Sequence, residues 1–283
     1  MCCTPACRIW AIRSGARGAI DITTSGWSDS HAQFFTGNPL LLFLVPGAVG
    51  VVAVLSFVFF VHEDDSRGLP RESLTAAHLL GKYVYNPLKY KDFSWNWLAR
   101  FLFYFGITLN TTYTAYFFAD RLGITVEEVA GVIAMLGLGG VLAVTAGAIG
   151  GGFMSDRFKR RRLFVMLGGI IMATGMVTQA FAADLTVLIV GSLTASMGLG
   201  LFAAVDQALL LDVLPERETD AGRFMAITGF ATSIPQSIAP LVASAILLVG
   251  VTGDDRNYQL LFVIAGVLVV LAGLAILRIR SVR

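Results

Sequence analysis

The sequence predicts an all-α polytopic membrane protein with about seven transmembrane helices, and three observations carry that reading. Hydrophobic residues make up 56% of the chain and charged residues 14%, against about 25% charged in an average soluble domain. Apolar residues come in separate blocks of about twenty or more, the length a helix needs to cross ~30 Å of hydrocarbon. Little period-2 alternation runs through these blocks, and lipid admits only helices or closed barrels as spanning structures, so strands fail.

Residues 1–37 carry no readable address. Cys2, Cys3 and Cys7 lie there, outside every hydrophobic block, so no disulfide framework staples the helices. His31, His62 and His78 stand at no zinc-motif spacing, and neither a metal site nor a cofactor is expected. Arg8, Arg13 and Arg17 interrupt the stretch, which does not look like a signal peptide. The expectation is a disordered tail or an incorrect start. Residues 38–61 read as the first span and 62–94 as a cytoplasmic linker. Residues 95–283 then supply a six-helix bundle, with spans at 95–118, 129–153, 163–183, 185–211, 223–250 and 258–277.

A helix that faces lipid needs no polar groups, whereas one lining a cavity often carries them. The first span holds only Ser56 inside it, the seventh is apolar after Gln259, and both are predicted to be peripheral. The second carries Arg100, Thr108, Asn110, Thr111, Thr112, Tyr113, Thr114 and Tyr116, and the fifth Asp206 and Gln207 beside Thr194 and Ser196. These two are predicted to line an interior path. Glycine is frequent in the third span, where Gly147 and Gly151 at four-residue spacing let another helix approach closely.

Net charge is only +2 and points to no nucleic-acid partner, but the placement of lysine and arginine sets orientation. The linker holds five (Arg67, Arg71, Lys82, Lys89, Lys91) and the connection after the third span five more, Arg157 and Lys159 to Arg162. Arg217 and boundary Arg223 follow the fifth span, and Arg278, Arg280 and Arg283 lie in the tail. The opposite side holds Arg121 and Arg256. Fifteen against two predicts a cytoplasmic C-terminus in a cell membrane. Seven spans then put an arginine-bearing N-terminus outside, so the chain is expected to be the back part of something longer; a natural seven-span protein is the other reading.

Between the third and fourth spans, Gly152-Phe153-Met154-Ser155-Asp156-Arg157-Phe158-Lys159-Arg160-Arg161-Arg162 reads as a tight basic turn headed by one acid. It resembles the cytoplasmic G-x-x-x-D-R-x-x-R-R loop of the major facilitator superfamily, with Gly152, Asp156, Arg157, Arg160 and Arg161 matching. Lys159 stands where that family often has a second glycine. The acidic, proline-broken stretch from Asp212 to Arg223 is similar to the family's link between its tenth and eleventh helices. The resemblance covers about residues 38–283. It implies helices six to twelve of a twelve-helix carrier, without the N-terminal bundle, and a 3+3 inverted repeat with solute held near the midplane. It also implies that the second and fifth spans line the cavity while the fourth and seventh are outer helices. Asp156, Arg157 and Asp212 are its candidates for a charge cluster at the helix ends, serving either as a gate or as a static anchor.

Asp206 lies roughly 10 Å to the cytoplasmic side of the fifth span's middle. A carboxylate there costs ~2.5–3.5 kcal/mol unless it faces a cavity or a partner. Proton coupling is one reading, and a structural contact to Arg100, Gln207 or the helix end is the other. Asn110 and Gln236 fall near the centres of the second and sixth spans, where both amides suit a hydroxylated solute or a neighbouring helix, with Tyr113 and Tyr116 as walls. Pro235, beside Gln236, frees the carbonyl of Ala231.

Three function classes follow. The first is a permease moving a small polar solute by alternating access, proton-coupled and sugar-like by analogy, with lipid, solute, protons and a missing bundle or partner chain as its partners. The second is a truncated, non-transporting structural or interaction membrane protein that needs a partner half. A membrane enzyme lacks support, because no metal-ligand pair, nucleophile with a base, or phosphate loop appears.

Overall fold

The computed structural model describes residues 39–60, 85–216, 220–250 and 256–279. The expectations for residues 1–37, for the three cysteines and three histidines, and for the linker up to residue 84 lie outside the described residues. Among the described residues every regular element is a helix. α1 (Pro39–Phe60) is an uncharged 22-residue helix, ~33 Å long at 1.5 Å per residue. Its Ser56 hydroxyl donates to the Val52 carbonyl at 2.8 Å, so the one internal polar side chain is satisfied within the helix.

The bundle comprises α2 (Lys91–Thr112), α3 (Thr114–Leu122), α4 (Val126–Phe158), α5 (Arg161–Ala180), α6 (Leu185–Val213), α7 (Ala221–Leu247) and α8 (Tyr258–Ile276). Among the described residues five helices, α4 to α8, are long and apolar enough to cross a membrane. Side chains cap the starts of α4, α6 and α8. Thr125 and Glu128 form a reciprocal capping box, Asp184 accepts from the Val187 amide at 2.9 Å, and Asn257 accepts from the Leu260 amide at 3.0 Å.

Three expectations need correction. The predicted second span is two helices that break at Tyr113 (φ −117°, ψ 14°). Hydroxyls of Thr108, Thr111, Thr112 and Thr114 all donate to carbonyls four residues back, a pattern that bends helices, and it is concentrated at this break. The predicted turn after the third span is mostly helix, since α4 runs on through Gly152, Asp156 and Arg157 to Phe158, and only Lys159 and Arg160 reverse the chain. The helices expected on the outside, α5 and α8, are the most buried. Half of the most apolar stretch of each lies inside the bundle, against 17% for α4.

Packing explains that last result. α2 lies against α7 and α8, α6 lies against α4 and α5, and α5 lies against α8, while the consecutive pairs α4/α5 and α7/α8 barely touch. Exchanging α2 with α6, α4 with α7 and α5 with α8 leaves this pattern unchanged. Because α2 and α6 traverse in opposite directions, the two three-helix sets form an inverted repeat. Glycine makes the crossings close. A Cβ on Gly147 of α4 would run into the Met197 carbonyl of α6, and one on Gly198 of α6 would strike the Met172 backbone of α5.

Gly147→Ala should therefore lower stability by about 1–3 kcal/mol through overpacking. Gly150→Ala, one turn along α4 with open space around it, should be neutral or stabilising by up to about 1 kcal/mol. Thermal unfolding in detergent checks this, and a Gly150 variant less stable than the Gly147 variant would contradict the assigned helix contact.

Candidate functional site

The side chains that matter lie along one face of α2 at steps of three and four: Phe93, Asn96, Arg100, Phe103 and Asn110, all buried. That spacing keeps them on one side of a 3.6-residue helix. α6 runs the other way past them. At the end where α2 begins, Phe93 meets Phe224 at the start of α7 edge to face at 5.3 Å, with Tyr85 and Tyr90 on the same cluster. Leu210 and Leu214 complete this plug.

One turn deeper, Asp206 is 2% exposed. Arg100 Nε donates to Asp206 Oδ2 at 2.8 Å and Arg100 Nη2 to the same oxygen at 2.5 Å, while Asn96 Nδ2 donates to Oδ1 at 3.1 Å. Arg100 Nη2 also reaches Gln207 Oε1 at 3.2 Å. Beyond the pair, the rings of Phe103 and Phe202 stack with centroids 3.4 Å apart. The carboxylate thus sits against a cation, an amide and an aromatic floor. Removing one partner of such a pair leaves a bare buried charge, at a cost of about 3–5 kcal/mol.

Further along, Asn110 faces a cavity of about 310 Å³ between α2, α3, α4, α5 and α6, lined also by Thr111, Thr114, Gln179, Ser192 and Ser196. Its Nδ2 is buried and has no hydrogen-bond partner among the described residues. Tyr113 and Gln236 lie elsewhere. The Tyr113 hydroxyl is 2.7 Å from Ser244 Oγ on α7, and Tyr116 is exposed. α7 shows three faces. One is buried through Ile227, Ala231, Pro235 and Ala239, and one is exposed and apolar through Phe230, Ile234, Ile238 and Leu241. The third is an exposed stripe of Gly229, Ser233, Gln236, Ser237 and Ser244.

At the helix ends, Arg161 bridges Asp156 at 3.1 Å and Asp212 at 2.7 Å, tying α4, α5 and α6 together. Arg157, expected in this cluster, is exposed and forms no ion pair among the described residues. Gly152 lies inside α4 and its carbonyl accepts from Ser155, while Arg160 is the residue before α5, its carbonyl accepting from Leu163. Arg161 and Arg162 stand at a helix N-terminus, where the macrodipole disfavours cations by ~0.3–1 kcal/mol, and the two aspartates offset this. Lys159 ends α4 in the left-handed region at φ 53°, the conformation that glycine adopts without cost.

A neighbouring clasp joins Lys89, Tyr90 and Glu216. The Tyr90 hydroxyl donates to Glu216 Oε1, and Lys89 Nζ lies 3.5 Å from the same oxygen. The Tyr90 hydrogen bond, helped by Lys89, holds the Glu216 carboxyl below its usual range, and the Tyr90 contact, helped by Glu216, holds Lys89 above its own. A depressed acid contributes above its unfolded pKa of about 4.3 and loses that contribution only as pH falls through the folded value. A raised lysine contributes below about 10.4 and loses it only as pH rises through the folded value. The clasp is therefore constant across neutral pH.

Asn96 went unread in the sequence, although the three- and four-residue steps from Phe93 to Phe103 pointed to it, whereas Arg161 was named in the loop motif and takes the pairing expected of Arg157. The family model for the Major Facilitator Superfamily matches residues 97–283, which takes in the Arg100–Asp206 pair, the Arg161 bridge and α4 to α8. No curated protein matches the chain.

A double-mutant cycle tests the buried pair. Arg100→Gln should cost about 3–5 kcal/mol, whereas Arg100→Met with Asp206→Leu should cost less than either single change, since no bare charge remains. Equal, additive losses in thermal unfolding would show that the pair is not coupled.

Proposed function

Because this chain belongs to the major facilitator superfamily, whose members are transporters and not enzymes, we propose that it moves a small polar solute by alternating access, with proton coupling through Asp206. The observation that carries the reading is the polar stripe of α7. Ser233, Gln236, Ser237 and Ser244 are exposed on a helix whose next face is apolar; the serines donate to carbonyls of their own helix, and the exposed Gln236 amide suits a wet cavity better than hydrocarbon. Gln236 and Tyr113 are its solute-contacting candidates, with Tyr116, Asn110 and Gln207 as the further polar candidates. All are neutral and can donate or accept, which suits a hydroxylated, sugar-like solute. The far wall of the cavity is assigned to a second helical bundle from a partner half. A bundle that stays unpaired would instead be a non-transporting membrane protein.

In the proposed cycle Asp206 exchanges Arg100 for a proton when α2 and α6 separate, so the ion pair is the unprotonated member of the cycle. Arg161 acts as the gate. Its pairs with Asp156 and Asp212 are partly exposed, and exposed pairs are worth only about 0–1 kcal/mol each, so they can break and re-form as the bundles rock. The stretches rich in lysine and arginine support a cytoplasmic side for these helix ends and for the C-terminus, in a cell membrane.

Vesicles with an imposed pH gradient, containing the chain assembled with a second bundle and offered xylose, glucose and glycerol, test both roles. Asp206→Asn, together with Arg100→Gln to avoid a bare cation, should abolish uphill accumulation and leave solute exchange at least partly intact. Asp156→Asn should slow accumulation and exchange alike, by up to about fivefold for an exposed pair. Full accumulation by the Asp206 variant would return that residue to a structural role, and an absence of saturable flux for every solute would favour the non-transporting reading.

A further inference from the structure

A second polar site lies away from the α7 stripe, where α2 and α5 begin and α8 ends. A cavity of about 410 Å³ there is lined by Lys91, Asp92, Trp95, Arg162, Leu277 and Arg278, with Ile279 at its base. Three cations face one carboxylate. The Arg278 guanidinium lies 5.4 Å from the centre of the Trp95 ring, and Arg162 donates to the Ile279 carbonyl, so two of the three cations are held in place by the fold. The third, Lys91, is exposed at the start of α2.

From this arrangement we propose that the cavity binds the phosphodiester headgroup of an anionic phospholipid at the membrane surface. The charge calls for an anion, and a guanidinium pair presents the planar donors that match phosphate oxygens. The surroundings select a lipid over a free anion. The helices that carry the cavity also present exposed apolar side chains, Leu98 on α2 and Leu271 and Leu274 on α8 with Leu277 just past its end. An acyl chain can lie along that surface while the headgroup meets the cations. Trp95 sits at the junction, the depth at which an indole ring favours the interface. Basic pockets between membrane helices recognise acidic lipid headgroups through this combination.

The site is separate from the gate. Arg161, one residue before Arg162, turns to Asp156 and Asp212 on α4 and α6, whereas Arg162 turns to α8. A bound headgroup would therefore bridge the ends of α2, α5 and α8, where α8 packs on both α2 and α5, without touching the Arg161 bridge.

Tryptophan quenching tests the assignment on the full chain in detergent. Phosphatidylglycerol with brominated acyl chains should quench at a lower mole fraction than phosphatidylcholine with the same chains, and Trp95→Phe should remove that difference. Each of Lys91→Gln and Arg278→Gln, both at exposed positions, should weaken the phosphatidylglycerol preference by about fivefold. Arg157→Gln, an exposed cation at the end of α4, should leave it unchanged. Equal quenching by the two lipids would overturn the proposal, as would an equal loss in the Arg157 variant, which would mean a diffuse surface field. Recovery of fluorescence on adding millimolar inorganic phosphate would assign a free-anion site and overturn it as well.

Discussion

A carboxylate that is 2% exposed inside an apolar bundle has to be matched by a cation, and that requirement fixes how α2 and α6 face each other. These helices are the first members of the two inverted three-helix sets, and their backbones come close at few points. Side chains span the gap instead. Arg100 and Asn96 close on Asp206, and the stacked rings of Phe103 and Phe202 fill the next layer. The glycine crossings of α6 with α4 and α5 then hold α6 from behind, while α7 and α8 hold α2.

Strength is graded along the axis in a way that suits a moving protein. The buried pair is costly to break because a bare charge would remain in low dielectric, whereas the Arg161 bridge is partly wet and cheap to open. Between them the aromatic plug around Phe93 and Phe224 seals by shape alone. A bundle built in this order is held most weakly at its ends and most strongly at its centre.

Much of the fold was legible because hydrophobic length is a local property. Six of the seven predicted spans correspond to single helices, most with ends within a few residues of those predicted, and the all-helical class follows from composition. The second span differed, since a run of threonines reads as continuous helix although its hydroxyls compete for the carbonyls that hold it straight. The burial of α5 and α8 was misread for a related reason: an apolar helix suits lipid and suits close packing equally well, and what decides is where glycine sits, at Gly168, Gly175 and Gly273. The site was less legible. Asp206 and Arg100 were both visible as charges within spans, and a contact between them was one of two readings for Asp206; the contact is present, but pairing across more than a hundred residues of chain has no local signature that selects it. Arg161 was chosen over Arg157 as the partner of Asp212 by the helical extension of α4 through residue 158, which leaves Arg157 exposed on the helix surface.

The most direct test of the constraint is a distance. Spin labels at Lys91 and Leu211, both exposed near the ends of α2 and α6, in a background with Cys2, Cys3 and Cys7 replaced, report how these helices are held. If the buried pair fixes them, the native protein gives one narrow distance distribution, and Arg100→Gln broadens it or shifts it by several ångströms. An identical distribution in the Arg100→Gln variant would contradict the account, and the spacing of α2 and α6 would then rest on the glycine crossings and the aromatic stack alone.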